Sequence, residues 1–203
     1  MIIGMCGLIG TGKDTVADIL VHNYNFKKIS FADKLKDGVA TVFSWDRQML
    51  EGTTDESRTW REKKDEFWSQ ETNEHITPRL VLQMFGTDCM RNGFYNGIWV
   101  SIVKQQILEN PKQNFVIPDV RFPNEAKMIN EVNGEVWRIC RGNDPQWFTD
   151  YVEHNKIPTG VHESEWQWAK LKFDFVIQNN KTVSDLKNQV SNHLASNELL
   201  VFA

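Results

Sequence analysis

"GLIGTGKDT", residues 7–15, decides how the rest of this chain is read. Gly7, Gly12 and Lys13 meet the pattern G-x-x-x-x-G-K-[ST], except that the final hydroxyl is replaced by Asp14. The run before it, "IIGMC" (2–6), reads as a buried strand. From Gly12 onward Val16, Ile19 and Leu20 recur at helical spacing. A strand ending in glycines and opening a helix is the context in which this pattern cradles phosphate. Glycines let backbone N–H groups converge on the anion, the helix N-terminus adds partial positive charge, and Lys13 reaches the outer phosphates. Gly7, Gly10, Thr11, Gly12, Lys13 and Thr15 are therefore expected to hold a triphosphate.

Asp14 needs its own explanation. A carboxylate beside a triphosphate is repelled unless a cation lies between them. Mg²⁺ prefers oxygen ligands and is usually shared between carboxylate and phosphates. Asp14 is thus expected to ligate the metal, directly or through water, leaving Thr15 to donate to the α-phosphate. The alternative is that Asp14 only complements the helix dipole from the first turn.

Further strands are expected at "KKISF" (27–31), "NFVIPD" (114–119), "EVWRICR" (135–141) and "FDFVIQN" (173–179). Between them lie helical patterns. "ADKLKDGVATVFSW" has Leu35, Val39, Val42 and Phe43 at helical spacing, and Thr77 caps a helix with Pro78 at its first position. "IWVSIVKQQILEN" (98–110), "PNEAKMINEVN" up to Gly134 and "TVSDLKNQVSNHL" follow. Residues 46–76 are polar with no strand signal, and 142–168 read as irregular, with Asp144-Pro145 and Pro158 as breakers. The alternation predicts an α/β chain: a five-stranded parallel sheet with helices on both faces. The single domain 1–203 then comprises a core (1–31, 110–141, 169–203), a helical insertion of about 32–109 and a lid-like segment of about 142–168.

Bulk properties narrow the partners. Lys and Arg number 23 against 27 Asp and Glu, a net charge of −4, which argues against duplex nucleic acid. Any bound anion must be captured by a local cluster. Cys6, Cys89 and Cys140 are too scattered for a disulfide framework or a zinc site, and Cys6 and Cys140 read as small core residues. "MIIGMCGLIG" carries neither a basic leader nor a long apolar run, so a cytoplasmic protein without membrane attachment is expected. Most of the eight tryptophans read as half-buried packing, with base stacking left open for one or two. The apolar tail "LLVFA" is expected to fold back or be covered by a partner, in a monomer or homodimer.

Other anion-handling candidates follow from placement. Asp119 ends the third strand, where parallel sheets carry functional groups, and can orient the metal's water shell. Arg121 points to the same crevice. Asp119 alternatively caps the following helix. Arg138 and Arg141 precede the irregular stretch, and Arg141 is the better candidate to close over a transferring phosphoryl group. In the insertion, Lys36, Arg79 and Arg91 are candidates for an acceptor phosphate and Gln83 for a base edge. "VHESEW" (161–166) holds one His with two Glu, which reads better as a polar helix start than as a metal site.

Taken together, "GTGKDT", "SFADKLK", "TPRLVLQMFGTD", "IWV", "DVRFPNEA", "HESE" and "VIQNNKTVSDL" resemble the bacteriophage deoxynucleoside monophosphate kinases, of the P-loop nucleoside monophosphate kinase group. The resemblance covers most of the chain and is loosest in 46–76 and 142–160. It implies a P-loop NTPase fold and transfer of the γ-phosphoryl of ATP to a deoxynucleoside monophosphate, with Mg²⁺. The family's Lys-Asp-Thr falls on Lys13, Asp14 and Thr15. Its acidic-Val-Arg strand end falls on Asp119 and Arg121, and its substrate-side helix on Arg79, Gln83 and Arg91. Animal phosphomevalonate kinases resemble the loop too, with the same Gly-Lys-Asp, and give the nearest rival. A regulatory ATPase is the rival of another class, but "NNKTVSD" lacks the aspartate of a GTPase base reader.

Overall fold

The computed structural model describes residues 1–161 and 163–201, with the backbone alone for 197–201. His162 and the side chains of the "LLVFA" tail lie outside the described residues. The chain forms two compact units: Met1–Ser30 with Gln106–Ala203, and Phe31–Gln105.

The first unit is built on five parallel strands: β1 (Ile2–Cys6), β2 (Phe26–Lys28), β3 (Asn114–Ile117), β4 (Glu135–Cys140) and β5 (Phe175–Gln178), in the order β2-β3-β1-β4-β5. All five residues of β1 are buried, as a central strand covered on both faces requires. Ile3 lies between Val116 and Glu135 in register. Helix α1 (Lys13–Tyr24) buries Val16, Ala17, Ile19 and Leu20, which pack with Met5, Trp137, Ile139 and Ile177 in one core cluster. The helix after β3, Pro123–Glu131 (α7 in chain order), buries Met128 and Ile129, and a Cβ at Gly4 would run into Ile129, so β1 and this helix pack at contact. Successive connections right of β1 and left of β1 diverge: β1 leads through α1 to β2, β3 through α7 to β4. The crevice where they part lies beyond the C-terminal ends of β1 and β3, where open α/β sheets bind ligands.

The second unit is helical: α2 (Asp33–Phe43), α3 (Asp55–Glu62), α4 (Glu66–Thr72), α5 (Pro78–Gln83) and a wide π-helical continuation, Met84–Asn92. Helix α6 (Ile98–Glu109) runs across the division of the chain. The polar stretch 46–76 becomes helical because it caps itself. The Thr54 side chain accepts from the Ser57 amide, and Asp65 from the Trp68 amide. Its core is Val39, Leu50, Ile76 and Val81 under an aromatic layer in which Phe43 stacks on Trp45, with Trp60 and Trp68 edge-on. Three of the tryptophans are thus packing residues.

Residues 142–168 are more regular than the breakers imply. Pro145, in extended backbone, introduces helix α8 (Gln146–His154), and two short 3₁₀ turns follow at Glu163–Glu165 and Gln167–Lys170. A proline lacks only an N–H that a first turn leaves unpaired, so it starts a helix as readily as it stops one. The last helix, α9 (Val183–Val201), is longer than its apolar spacing suggested. No helix among the described residues is long and apolar enough to cross a membrane.

Candidate active site

The glycine loop has the backbone that its composition demands. Gly12 has φ 97°, in the left-handed region, and helix α1 starts at the next residue. A Cβ there would run into Asn179 Nδ2, and one at Gly7 into the Ile139 carbonyl. Both positions therefore require glycine. Thr11 is buried and donates through Oγ1 to the Leu8 carbonyl at 2.9 Å. Asn179, just past β5, donates to the Thr11 carbonyl at 2.8 Å and so pins the loop from the far edge of the sheet. Its neighbour Asn180 accepts from the Gly142 amide at 2.7 Å.

Lys13 Nζ donates to the carbonyls of Gly7 (2.8 Å) and Leu8 (2.9 Å), so the ammonium is centred over the loop. Burial, and after it the charge of Arg121, holds Lys13 below the usual lysine range, with Asp14 and Glu165 opposing. Lys13, Arg121 and Glu165 are thus electrostatic neighbours.

Asp14 is three-quarters exposed and pairs with Lys28 at the end of β2 (2.7 Å). The acid out of pattern already has a protein cation beside it. Its second oxygen makes no hydrogen bond among the described residues, and a hard carboxylate oxygen of this kind, beside the glycine loop, is of the type that Mg²⁺ prefers. Asp119 Oδ2 accepts from Ser30 Oγ at 2.5 Å, which orients the carboxylate at the strand end. No cluster of three or more metal-type ligands forms among the described residues, so a cation held by Asp14 or by Asp119 would take its remaining ligands from water and phosphate oxygens.

Arg121 pairs with Glu165 and approaches Ser164 Oγ at 3.5 Å. Ser164 and Glu165 thus engage an arginine. The backbone beneath Arg121 is fixed by the fully buried Glu125, whose Oε2 accepts from the amides of Arg121 (2.7 Å) and Phe122 (3.0 Å). Arg138 is committed elsewhere: it pairs with Asp144 and lies over the Phe148 ring at 4.2 Å. Arg141 is exposed at the end of β4 beside Gly142.

In the second unit, Lys36 pairs with Glu51 (2.6 Å) and Arg79 with Glu62 (2.8 Å). Gln83 is exposed at the end of α5, and Arg91 is half-buried in the π-helical segment. Sequence reasoning missed Lys28, Ser30, Glu165 and Asn179. Lys28 could have been suspected as a cation on a short strand beside an unexplained acid. Ser30, Glu165 and Asn179 lie in stretches that carry the resemblance, but they sit far along the chain from their partners, and nothing local marks the pairings.

The family model for deoxynucleotide monophosphate kinase matches residues 48–190. A protein of Acanthamoeba polyphaga mimivirus, described provisionally as a deoxynucleotide monophosphate kinase, is 31% identical over 202 residues, covering 94% of each chain. The deoxynucleoside-5'-monophosphate kinase of Escherichia phage T5 is 41% identical over 58 residues, 29% of this chain and 23% of that one. Among solved structures, shikimate kinase from Aquifex aeolicus superposes with a TM-score of 0.47 at 14% identity, covering 98% of this chain and 99% of that one.

Proposed function

This chain belongs to the deoxynucleotide monophosphate kinase family of phosphotransferases, and from that premise we propose that it transfers the γ-phosphoryl group of ATP to a deoxynucleoside 5'-monophosphate in a Mg²⁺-dependent reaction, giving the diphosphate and ADP, in the cytoplasm. The observation that carries the reading is the loop of residues 7–15, with Lys13 Nζ centred on its own carbonyls. In the first unit, Gly7, Gly10, Thr11, Gly12, Lys13 and Thr15 hold the donor phosphates. In the second, Lys36, Arg79, Gln83 and Arg91 serve the acceptor.

The acceptor oxygen needs no general base. A phosphate monoester has a second pKa of about 6 and is largely dianionic at neutral pH. What the residues must do is align two anions and cancel their repulsion. Lys13 does so at the outer phosphates. Arg121, oriented by Glu165 and by the Glu125-capped backbone, brings a second positive charge close to it, and Arg141 supplies a third from the end of β4. Asp14 and Asp119 would hold Mg²⁺, directly or through water, and the ion would offset charge on the donor phosphates.

A coupled assay of ADP formation with dAMP, dCMP, dGMP and dTMP tests the proposal. Acceptor-dependent turnover on at least one of them is expected. ADP release that is indifferent to acceptor would overturn it.

A further inference from the structure

Within the second unit, Gly52 and Arg61 form a seat that none of the assignments above uses. Gly52 has φ 67°, and a Cβ there would run into the Nη2, Cζ and Nε atoms of Arg61, so the guanidinium lies directly against the Gly52 backbone. Arg61 Nε is buried with no hydrogen-bond partner, and among the described residues no carboxylate pairs with the guanidinium. The acids that could pair with it are engaged. Glu51 takes Lys36 and Arg47, Glu62 takes Arg79, and Asp55 takes Arg58 at 3.1 Å. Arg58 also donates to the Gly52 carbonyl at 3.2 Å and the Thr53 carbonyl at 3.3 Å, bracing the turn on which Arg61 rests. Burial, and after it the like charge of Arg79, holds Arg61 below the usual arginine range, with Arg58 adding to the effect and Glu62 and Glu51 opposing it.

A seated guanidinium with unused donors, two further arginines nearby and its neighbouring acids already paired to other cations suits a dianion. Its planar fork matches two phosphate oxygens, and the incoming charge relieves the repulsion between arginines. We infer that Arg61, seated on Gly52 with Arg58 and Arg79 nearby, binds the 5'-phosphate of the acceptor nucleotide. The identity of the anion rests on the function proposed above; the seat itself rests on the geometry.

The test measures equilibrium binding of inorganic phosphate, the four deoxynucleoside monophosphates and ATP to wild-type protein, Arg61→Gln and Arg61→Lys. The glutamine variant should weaken the best-bound monophosphate by roughly 10- to 100-fold, the range for a lost charge-assisted hydrogen bond, and leave ATP within about twofold. The lysine variant should recover part of the loss, since it keeps charge without the fork. In wild-type protein, an arginine-directed dicarbonyl should modify Arg61 more slowly with the monophosphate present, but not with the unphosphorylated deoxynucleoside. That footprint decides the matter should a variant fail to fold.

Unchanged monophosphate affinity in Arg61→Gln, no monophosphate binding by the wild type, or an unprotected Arg61 would each overturn the inference. Arg61-dependent binding without phosphoryl transfer would sink the proposed reaction and leave the seat standing. Transfer with an Arg61-independent KM would do the reverse.

Discussion

In the first unit, Lys13 is held by two carbonyl oxygens of its own loop, five and six residues away. In the second unit, Lys36 and Arg79 are held by carboxylates fifteen and seventeen residues away. The first arrangement is written locally, in glycine spacing and a strand-to-helix junction, and survives wherever that junction forms. The second exists only once helices have packed. A backbone-held cation also keeps its geometry when an anion arrives, whereas a carboxylate-held one must be shared or released. The Lys13 arrangement is thus suited to holding an anion in one place, and the Lys36 and Arg79 pairs to exchanging one partner for another; Arg61, seated on the Gly52 backbone, is the exception in the second unit.

The largest test of this contrast is Lys13→Ala. We expect kcat to fall by roughly 10²–10³-fold, the range for removing one preorganised electrostatic donor. Lys13→Arg should not restore it, because a planar fork cannot be centred on the Gly7 and Leu8 carbonyls. Steady-state kinetics would show it; a loss below about tenfold would break the comparison at its strongest point.

Thr77 sharpens the contrast, since it is a locally written device in the helical unit: its side chain accepts from the Leu80 amide at 3.1 Å. Thr77→Ala should cost about 0.5–2 kcal/mol in denaturant unfolding, with KM for ATP unchanged.

The pH dependence follows from the lowered Lys13 value. Between the folded and unfolded values the unfolded chain binds more protons, so this group's contribution to stability rises with pH and is lost as pH falls through the folded value. Activity runs the other way, because the ammonium is the useful form. The alkaline limb of kcat/KM for ATP should lie below the ordinary lysine value of about 10.4. A limb at or above that value would contradict the burial of Lys13.

The smallest effect is expected at the Asp14–Lys28 pair, which is largely exposed and should be worth at most about 1 kcal/mol to stability. Its interest is chemical. Lys28→Ala should lower the Mg²⁺ concentration needed for half-maximal activity, by freeing Asp14, and Asp14→Ala should raise it. Identical Mg²⁺ titrations for both would remove Asp14 from the metal site.

The sheet was legible because buried parallel strands are short apolar runs bounded by breakers, and the loop because its glycines are demanded by backbone conformation. Thr77 with Pro78 announced α5 for a similar reason. The partners of the site were not legible. Glu165 lies forty-four residues from Arg121, and Ser30 lies eighty-nine from Asp119. Such pairs are fixed by sheet order, which no local pattern records. Pro145 misled because the same ring that ends one helix opens another.

Asn179 gives the molecule a temporal property. The turn at Gly12 rests on an amide 167 positions downstream, and the carbonyl before it is tied to that same side chain. During synthesis the N-terminal loop emerges early but lacks its brace until β5 has left the ribosome. A chain truncated before that strand would keep the ties of Lys13 and Thr11 within the loop and lose the amide that braces the Gly12 turn from the far edge of the sheet.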